Sequence, residues 1–486
     1  MNTHPTTTGP DSPAAATPPG APLDLALIGH TNTGKTSVLR SLLRDRNVGE
    51  VADEAGTTRT STRYEMTVAG RVAAYLWDTP GLEDAGPLLR RVRDAEREIG
   101  RSPAEALGHV LAQGDVPERE RSPLETLRRC RAGLLVFDVR ERPLEKYWEE
   151  HELLRLCGAP LVAVLNCAAR PGARTDEWDR ALRHHGLHAI VRYDAWASAE
   201  DDAQRLLEAL HTLLGEPAAT ELARIARDRR AEERSRIDRS ARRLAETLVD
   251  LAAYRRLVRE EHVPAAQDDF RRLLGESWGR FLKGLAAAWG LSEGQLRGVQ
   301  AEAERLSAEE GEDAAAAAAE ASLWGTLGGV AGGAAGFAAK GLLVEVGLGG
   351  ASLRVGAVGG AVLGGAIGGH RAIRAGLRRA RGERELRFSE AAVDVALRRG
   401  IWLIRRVRAY GAASEEPIPA PTSAEELAQA EGPVAAAQRR ALRTRQKAPA
   451  SWSRLGTGEA AGRSEAGERE VDRLSGLLVE AVVGGA

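Results

Sequence analysis

The chain has 486 residues, enough for about two to four domains, and 43% of them are hydrophobic. Its 68 lysines and arginines balance 69 aspartates and glutamates, and aromatic residues make up only 4%. This composition gives neither an overall basic field for DNA nor aromatic platforms for single strands, so nucleic acid is not an expected partner. Three scattered cysteines, Cys130, Cys157 and Cys167, exclude a disulfide framework or zinc cluster and favour a reducing, cytoplasmic location.

The N-terminal part predicts an arm followed by an α/β domain. Residues 1–22 are Thr, Pro and Ala with almost no charge, which predicts a disordered arm without a secretory signal. From 23 to 216, short apolar runs alternate with helix-like stretches, the pattern of a mostly parallel sheet with helices on both faces. A charged, helical stretch at about 88–130 predicts an insertion. The predicted strands are 23–28, 61–68, 71–77, 133–139, 160–165 and 188–193.

The remaining sequence predicts an all-α region. Residues 217–322 are charged and helical, and Ile237, Leu244, Leu251 and Val258 recur every seven residues as one apolar stripe on a long helix. The composition then changes three times. The predicted segments are a glycine-rich hairpin of helices (323–370), basic amphipathic helices (371–412) and a linker with a C-terminal helix (413–486).

The strongest motif is a glycine-rich loop directly after the first predicted strand. Residues 29–36 fit the pattern G-x-x-x-x-G-K-[ST], whose backbone amides wrap a phosphate at a helix N-terminus. Lys35 supplies positive charge to the β- and γ-phosphates, and the Thr36 hydroxyl is a ligand for Mg²⁺. The nucleotide-binding residues expected from this motif are Gly29, His30, Thr31, Asn32, Thr33, Gly34, Lys35, Thr36 and Ser37.

Two further motifs follow in the order that a nucleotide switch requires. Asp78, in the sequence Trp-Asp-Thr-Pro-Gly at a strand end, is expected to hold Mg²⁺ through a water, and the amide of Gly81 to sense the γ-phosphate. In the polar segment Gly-Thr-Thr-Arg at 56–59, one of the two threonines would complete the Mg²⁺ coordination.

Together these motifs resemble the Era/TrmE-like branch of the translation-factor-related P-loop GTPases, over about residues 23–216. The resemblance implies that Thr58 is the Mg²⁺-binding switch threonine and that 56–62 and 79–90 are the two switches. It implies catalytic roles for Lys35, Thr58 and Gly81 and a nucleotide-binding role for Asn166. For Asn32 two roles are open, a K⁺ ligand near the phosphates or a hydrogen-bonding residue that stabilises the loop. Leu82 stands where Ras-like proteins carry a glutamine, so slow GTP hydrolysis is expected, accelerated by homodimerisation, K⁺ or a protein activator.

The whole-chain pattern is similar to an uncharacterised family of proteobacterial GTPases with a C-terminal domain of unknown function. One motif departs from the branch. Its base-reading sequence Asn-Lys-x-Asp reads Asn166-Cys167-Ala168-Ala169 here, so the carboxylate that selects guanine is missing. Asp176 and Asp194 are the two candidates to replace it.

The glycine-rich segment carries glycines at every fourth residue, for example Gly356, Gly360 and Gly364. Such spacing lets helices approach closely in lipid. The uncharged stretches 323–339 and 355–369 give about 26 Å and 22 Å of helix against a bilayer core of about 30 Å. Lipid and a soluble, close-packed helical pair are therefore both open interpretations.

Three functions follow from these features. The first is a GTP-hydrolysing molecular switch that associates with the inner membrane, peripherally or inserted, through the glycine-rich hairpin. The second is a soluble GTPase for RNA or ribosome assembly, suggested by the family branch and the arginines of 371–387. The third is a nucleotide-gated structural or pore-forming protein with little turnover.

Overall fold

The computed structural model describes most of the chain in ten ranges and two single positions, Val48 and Gln295. No helix within these ranges combines the length and the apolar composition needed to cross a bilayer. The described ranges are 21–45, 60–83, 85–100, 102–195, 199–291, 344–348, 351–353, 382–409, 432–455 and 462–484, together with Val48 and Gln295.

The first unit is built on a six-stranded sheet in the order β2-β3-β1-β4-β5-β6. All neighbouring pairs are parallel except β2 with β3. Every residue of β4 and β5 is buried, as apolar runs covered on both faces require. The predicted α/β fold is thus confirmed. The strands are β1 (Leu23–Ile28), β2 (Thr62–Val68), β3 (Arg71–Asp78), β4 (Ala132–Asp138), β5 (Leu161–Asn166) and β6 (Ile190–Arg192).

Helices cover both faces of this sheet and enclose one apolar core on each side. Three of them lie between β3 and β4, within the stretch predicted as an insertion. One of these three helices, α3 (Pro103–Ala112), begins at a capping box formed by Ser102 and Glu105. The helices are α1 (Lys35–Leu43), α2 (Ala85–Ile99), α3 (Pro103–Ala112), α4 (Glu118–Arg129), α5 (Glu145–Arg155), α6 (Thr175–His184) and α7 (Ala199–Leu214).

The second unit begins near residue 234 and is helical, as predicted, but it also contains a small sheet. Its four strands are antiparallel in the order β7-β10-β8-β9. The elements from residue 218 onward are α8 (Ala218–Ala253), β7 (Arg255–Arg259), α9 (Val263–Trp289), β8 (Val344–Leu348), β9 (Ala351–Leu353), β10 (Glu383–Phe388), α10 (Glu390–Ala409), α11 (Pro433–Lys447) and α12 (Glu465–Val483).

The sheet changes how three predicted segments are placed. Helix α8 ends at Ala253, so Val258 lies on β7 rather than on the helical stripe with Ile237, Leu244 and Leu251. Strands β8 and β9 lie inside the glycine-rich segment, where the register sets Glu345 opposite Arg387. The two predicted hairpin helices, 323–339 and 355–369, lie outside the described residues. Helix α11 occupies part of the segment predicted as a linker.

The three cysteines all lie in the first unit as free thiols. Cys130 and Cys167 are buried, and Cys157 is half-buried. Burial raises the pKa of every one of these thiols, to about 12 for Cys157 and about 11 for Cys167. None of them is a nucleophile at neutral pH.

Candidate functional site

The loop between β1 and α1 has a backbone that requires glycine at two positions. Gly29 and Gly34 have φ values of 145° and 87°. A Cβ at Gly29 would lie 2.5 Å from the carbonyl oxygen of Val136, and one at Gly34 would lie 2.2 Å from the amide nitrogen of Asn166. Helix α1 starts directly after Gly34 with no side-chain cap. Its N-terminal amides are therefore available to an anion.

Lys35, the first residue of α1, reaches back to the start of this loop. Its ammonium donates hydrogen bonds to the carbonyl oxygens of Gly29 (3.0 Å) and His30 (2.8 Å), and only 8% of the residue is exposed. Burial lowers the pKa of Lys35 to about 8, although the negative charges of Asp78 and Glu150 oppose the shift. The loop thus holds a buried cation that a phosphate would stabilise.

A hydroxyl and a carboxylate meet beside the lysine. Thr36 Oγ1 donates a hydrogen bond of 3.0 Å to Asp78 Oδ2 at the end of β3. Asp78 is 7% exposed, and the next residue, Thr79, is fixed by a 2.7 Å hydrogen bond to the carbonyl oxygen of Leu27. The hydroxyl of Thr36 and the carboxylate of Asp78 are oxygen ligands of the type that Mg²⁺ prefers next to a nucleotide.

The segment after Asp78 rests directly on the phosphate loop. A Cβ at Gly81 would lie 2.4–2.6 Å from atoms of Thr31, so a larger residue does not fit there. The amide of Leu82 donates to the carbonyl oxygen of Gly29 at 3.4 Å. Thr31 Oγ1 donates to Glu83 Oε1 at 3.2 Å. Gly81 therefore lies against the loop that the sequence predicts to bind phosphate.

The remaining predicted site residues are at or near the loop. Thr33 is buried and donates from its hydroxyl to the carbonyl oxygen of His30 at 3.0 Å. Asn32 is exposed with a φ of 65°, and Ser37 lies on the first turn of α1. Thr58 and the rest of 56–59 lie outside the described residues.

Sequence reasoning missed Glu150, which contacts the loop from helix α5. Its Oε1 lies 2.6 Å from Nδ1 of His30, and the Glu150 side chain is only 2% exposed. Burial raises the pKa of Glu150, while His30 and Lys35 act in the opposite direction. The sequence could have indicated this residue, because Glu150 is a carboxylate on the same face of α5 as the apolar Tyr147 and Leu154.

The opposite end of the loop contacts the predicted base-binding strand. Asn166, 2% exposed, donates from Nδ2 to the carbonyl oxygen of Thr33 at 3.1 Å. The amide of Ala169 donates to Asp194 Oδ2 at 3.2 Å, so Asp194 lies next to the residue at which the predicted carboxylate is missing. Asp176 is 88% exposed and pairs with Arg192 instead.

These features agree with comparisons to known proteins. Residues 24–166 match a family described as 50S ribosome-binding GTPase, and residues 180–475 match a domain of unknown function, DUF3482. The chain is 34% identical over 70 residues to the tRNA modification GTPase MnmE of Chromobacterium violaceum, covering 14% of this chain and 15% of MnmE. It is 24% identical over 166 residues to the probable GTP-binding protein EngB of Bacillus velezensis, covering 34% and 71%.

A crystal structure of Aquifex aeolicus Era bound to GDP and aluminium fluoride is 22% identical, with a TM-score of 0.29, covering 40% of this chain and 57% of Era. The chain thus spans only a small part of the length of MnmE and just over half of Era. The predicted P-loop GTPase domain is confirmed by the first family match. In this chain the second match follows the P-loop GTPase domain, and because it spans more than half of the sequence, this protein belongs to the DUF3482 family.

Proposed function

We propose that this protein binds GTP and hydrolyses it to GDP and phosphate as a molecular switch. The observation that carries the proposal is the hydrogen bond from Thr36 to Asp78 beside the buried Lys35, with Gly81 against Thr31. These groups lie close together at the N-terminus of α1. A triphosphate there would meet backbone amides, a lysine and two oxygen donors for a metal ion.

We propose a separate role for each of the residues at the N-terminus of α1. The amides of 29–34 and the ammonium of Lys35 bind the phosphates, and the amide of Gly81 contacts the γ-phosphate. Thr36 and Asp78 would hold Mg²⁺, and Thr58 is the third residue proposed to bind it. The ion would supply positive charge against the negative charge of the phosphates. Asn32, exposed on the loop, is the proposed K⁺ ligand.

Guanine selection is assigned to Asp194. Asn166 keeps its hydrogen bond to the phosphate loop, so the frame of the base site is retained. Ala169 brings no carboxylate, but its backbone amide donates a hydrogen bond to the carboxylate of the buried Asp194. A carboxylate at this point can accept hydrogen bonds from guanine and disfavours adenine, which offers no matching pair of donors.

Phosphate release tests this function directly. Purified wild-type protein is incubated with GTP or ATP and Mg²⁺, first in Na⁺ and then in K⁺, beside the variants Lys35→Ala and Lys447→Ala. GTP-dependent release that is lost in Lys35→Ala and kept in the exposed control Lys447→Ala supports the proposal. Binding of nucleotide without release would favour a nucleotide-gated structural protein, and equal release from ATP would contradict guanine selection.

For the output of the switch we propose membrane association through the glycine-rich segment. The support is the four-residue glycine spacing of 323–339 and 355–369, flanked by arginines from Arg371 onward that suit an anionic lipid surface. Flotation with liposomes of anionic lipid, with GDP and with a GTP analogue, tests it. Absence of lipid binding in both states would contradict it.

A ribosomal partner is the second candidate output. The N-terminal match to a family described as 50S ribosome-binding GTPase favours it, together with the arginine-rich stretch 371–387. Co-sedimentation with 50S subunits at rising salt would support it if binding weakens as the salt concentration increases. Failure to co-sediment in either nucleotide state would contradict it.

A further inference from the structure

Helix α4, inside the insertion between β3 and β4, is hydrogen-bonded to segments of both predicted switches. The amide of Ser61 donates to Ser122 Oγ at 2.9 Å, and Thr126 Oγ1 donates to Ser61 Oγ at 2.8 Å. The amide of Glu83 donates to Glu120 Oε1 at 3.3 Å. Ser61 belongs to the predicted switch 56–62 and Glu83 to the predicted switch 79–90, so α4 is hydrogen-bonded to one described residue of each.

Arg119 on the first turn of α4 pairs with Glu83, a residue that itself contacts the phosphate loop. Its Nη2 lies 2.5 Å from Glu83 Oε1, the same oxygen that accepts the hydrogen bond from Thr31 Oγ1. One carboxylate oxygen therefore separates the guanidinium from the loop. The positive charge of Arg119 also acts on Lys35. Burial is the largest cause of the lowered pKa of Lys35, and repulsion from Arg119 lowers it further.

The ion pair of Arg119 and Glu83 can open at low cost. The side chains are 36% and 45% exposed, and ion pairs at such positions are weak because water competes with them. A triphosphate next to Thr31 would bring more negative charge than one carboxylate. It would therefore attract the guanidinium and repel Glu83.

The residue after Gly81 cannot stabilise charge on the γ-phosphate, whereas Arg119 can. Leu82 follows Gly81, and its buried side chain cannot orient a water or stabilise charge. Phosphoryl transfer depends on neutralising charge on the γ-phosphate oxygens, and an arginine is a common means of doing so. A guanidinium also presents a planar fork of donors that matches two phosphate oxygens at once.

We propose that Arg119 is a catalytic residue supplied within the chain, which leaves Glu83 and donates hydrogen bonds to the γ-phosphate during hydrolysis. This inference rests on the proposed function. In the reaction the oxygen of a water forms a bond to the γ-phosphorus, and the bond from that phosphorus to the β,γ-bridging oxygen breaks. The electron pair stays on the β-phosphate of GDP, and the proton of the water passes to the released phosphate. Arg119 is not consumed.

Single-turnover hydrolysis of GTP by the full chain tests the inference with three variants. Arg119→Ala is expected to lower the rate by at least about 10²-fold while GDP affinity stays within about threefold. Arg119→Lys is expected to recover only part of the rate, because it restores the charge without the fork. Arg91→Ala is the matched control: Arg91 lies in the same insertion, is 37% exposed and pairs with Asp115 at 2.7 Å.

Glu83→Ala separates catalysis from a structural contact. If Arg119 serves only to hold Glu83 in place, both Arg119→Ala and Glu83→Ala lower the rate. If Arg119 acts on the phosphate, Glu83→Ala frees the guanidinium and raises the rate. Binding of GDP with aluminium fluoride, a mimic of the transferring phosphoryl group, should weaken in Arg119→Ala and strengthen in Glu83→Ala.

The outcomes distinguish this inference from the proposed function. Hydrolysis by Arg119→Ala within about twofold of wild type, or equal losses in Arg119→Ala and Glu83→Ala, would overturn the role of Arg119 alone. Wild-type protein that binds GTP but never releases phosphate would overturn the proposed function and this inference together. GDP affinity, measured on every variant, shows whether a lost rate comes from misfolding.

Discussion

Nδ1 of His30 lies 2.6 Å from Oε1 of Glu150, which joins the second residue of the phosphate loop to helix α5. The two residues are 120 positions apart in the sequence. Tyr147, one turn earlier on α5, packs edge-on against the His30 ring with 5.7 Å between the ring centroids. The loop is therefore supported from outside the β1–α1 unit that forms it.

Glu150→Ala should destabilise the protein and weaken nucleotide binding. Removing a buried partner from a hydrogen bond to a charged group costs about 1.5–3 kcal/mol in the free energy of unfolding. Urea denaturation gives the stability, and calorimetry with GDP gives the affinity. Glu152→Ala on the same helix is the control, because Glu152 is 48% exposed and pairs with Arg93 at the surface. Equal effects of the two substitutions would show that the His30 contact is unimportant.

Nucleotide affinity should fall as the pH rises through about 8. The pKa of Lys35 is lowered to about 8 by burial, so its ammonium is charged below this pH and increasingly neutral above it. A bound phosphate favours the charged form, and binding above pH 8 must therefore take up a proton. The affinity is expected to drop by up to about tenfold per pH unit.

Calorimetry between pH 7 and 9.5, in two buffers of different ionisation enthalpy, measures both the affinity and the proton uptake. Above pH 8 the observed heat should depend on the buffer. A constant affinity across this range, with no proton uptake, would contradict a phosphate contact by Lys35.

Asp194→Asn should reduce the preference for GTP over ATP. The substitution replaces an acceptor with a donor, and a mismatched buried group costs about 1–3 kcal/mol, or about 10–100-fold in relative affinity. Competition of GTP and ATP for a fluorescent nucleotide measures the ratio. Asp176→Asn is the control, since Asp176 is 88% exposed and pairs with Arg192. A change of preference in the Asp176 variant alone would assign base recognition to the other carboxylate.

Arg463→Met should destabilise the second unit. The Arg463 side chain is fully buried, and its Nη2 lies 2.7 Å from Oδ1 of Asp250, which is 1% exposed. The substitution leaves the carboxylate of Asp250 buried without one of its two arginines. We expect a cost of about 3 kcal/mol, at the low end for a broken buried ion pair, because Arg454 still contacts Asp250. Urea denaturation measures it. Arg469→Ala, which removes an exposed pair with Glu465, should cost about 0–1 kcal/mol.

The sequence predicts the parts of the fold that local patterns determine. The strands around the phosphate loop lie within two residues of the predicted limits, because apolar runs such as 23–28 are interrupted by turn residues. The loop itself was predictable because Gly29, Gly34 and Lys35 stand at fixed spacing. The contacts of Glu150, Arg119 and Asp194 were not, since each depends on how distant elements pack.

The small sheet shows a different limit. Strand β7 consists of Arg255–Arg259, a charged run that continues the composition of helix α8. Leu257 on it is 47% exposed, so neither alternation nor burial separates the strand from the helix. Its pairing with β10, more than 120 residues later, ends the helix at Ala253. Such a partner cannot be read from a local window of sequence.

The burial of the three native thiols favours site-directed labelling of the unmodified chain. All three cysteines have a raised pKa and little access to solvent, so maleimide reagents at neutral pH should leave them unmodified. A single cysteine introduced at the exposed Glu125 of α4 would then carry a fluorophore or spin label alone. The movement of the insertion during a nucleotide cycle can be followed by spectroscopy without first removing any native residue.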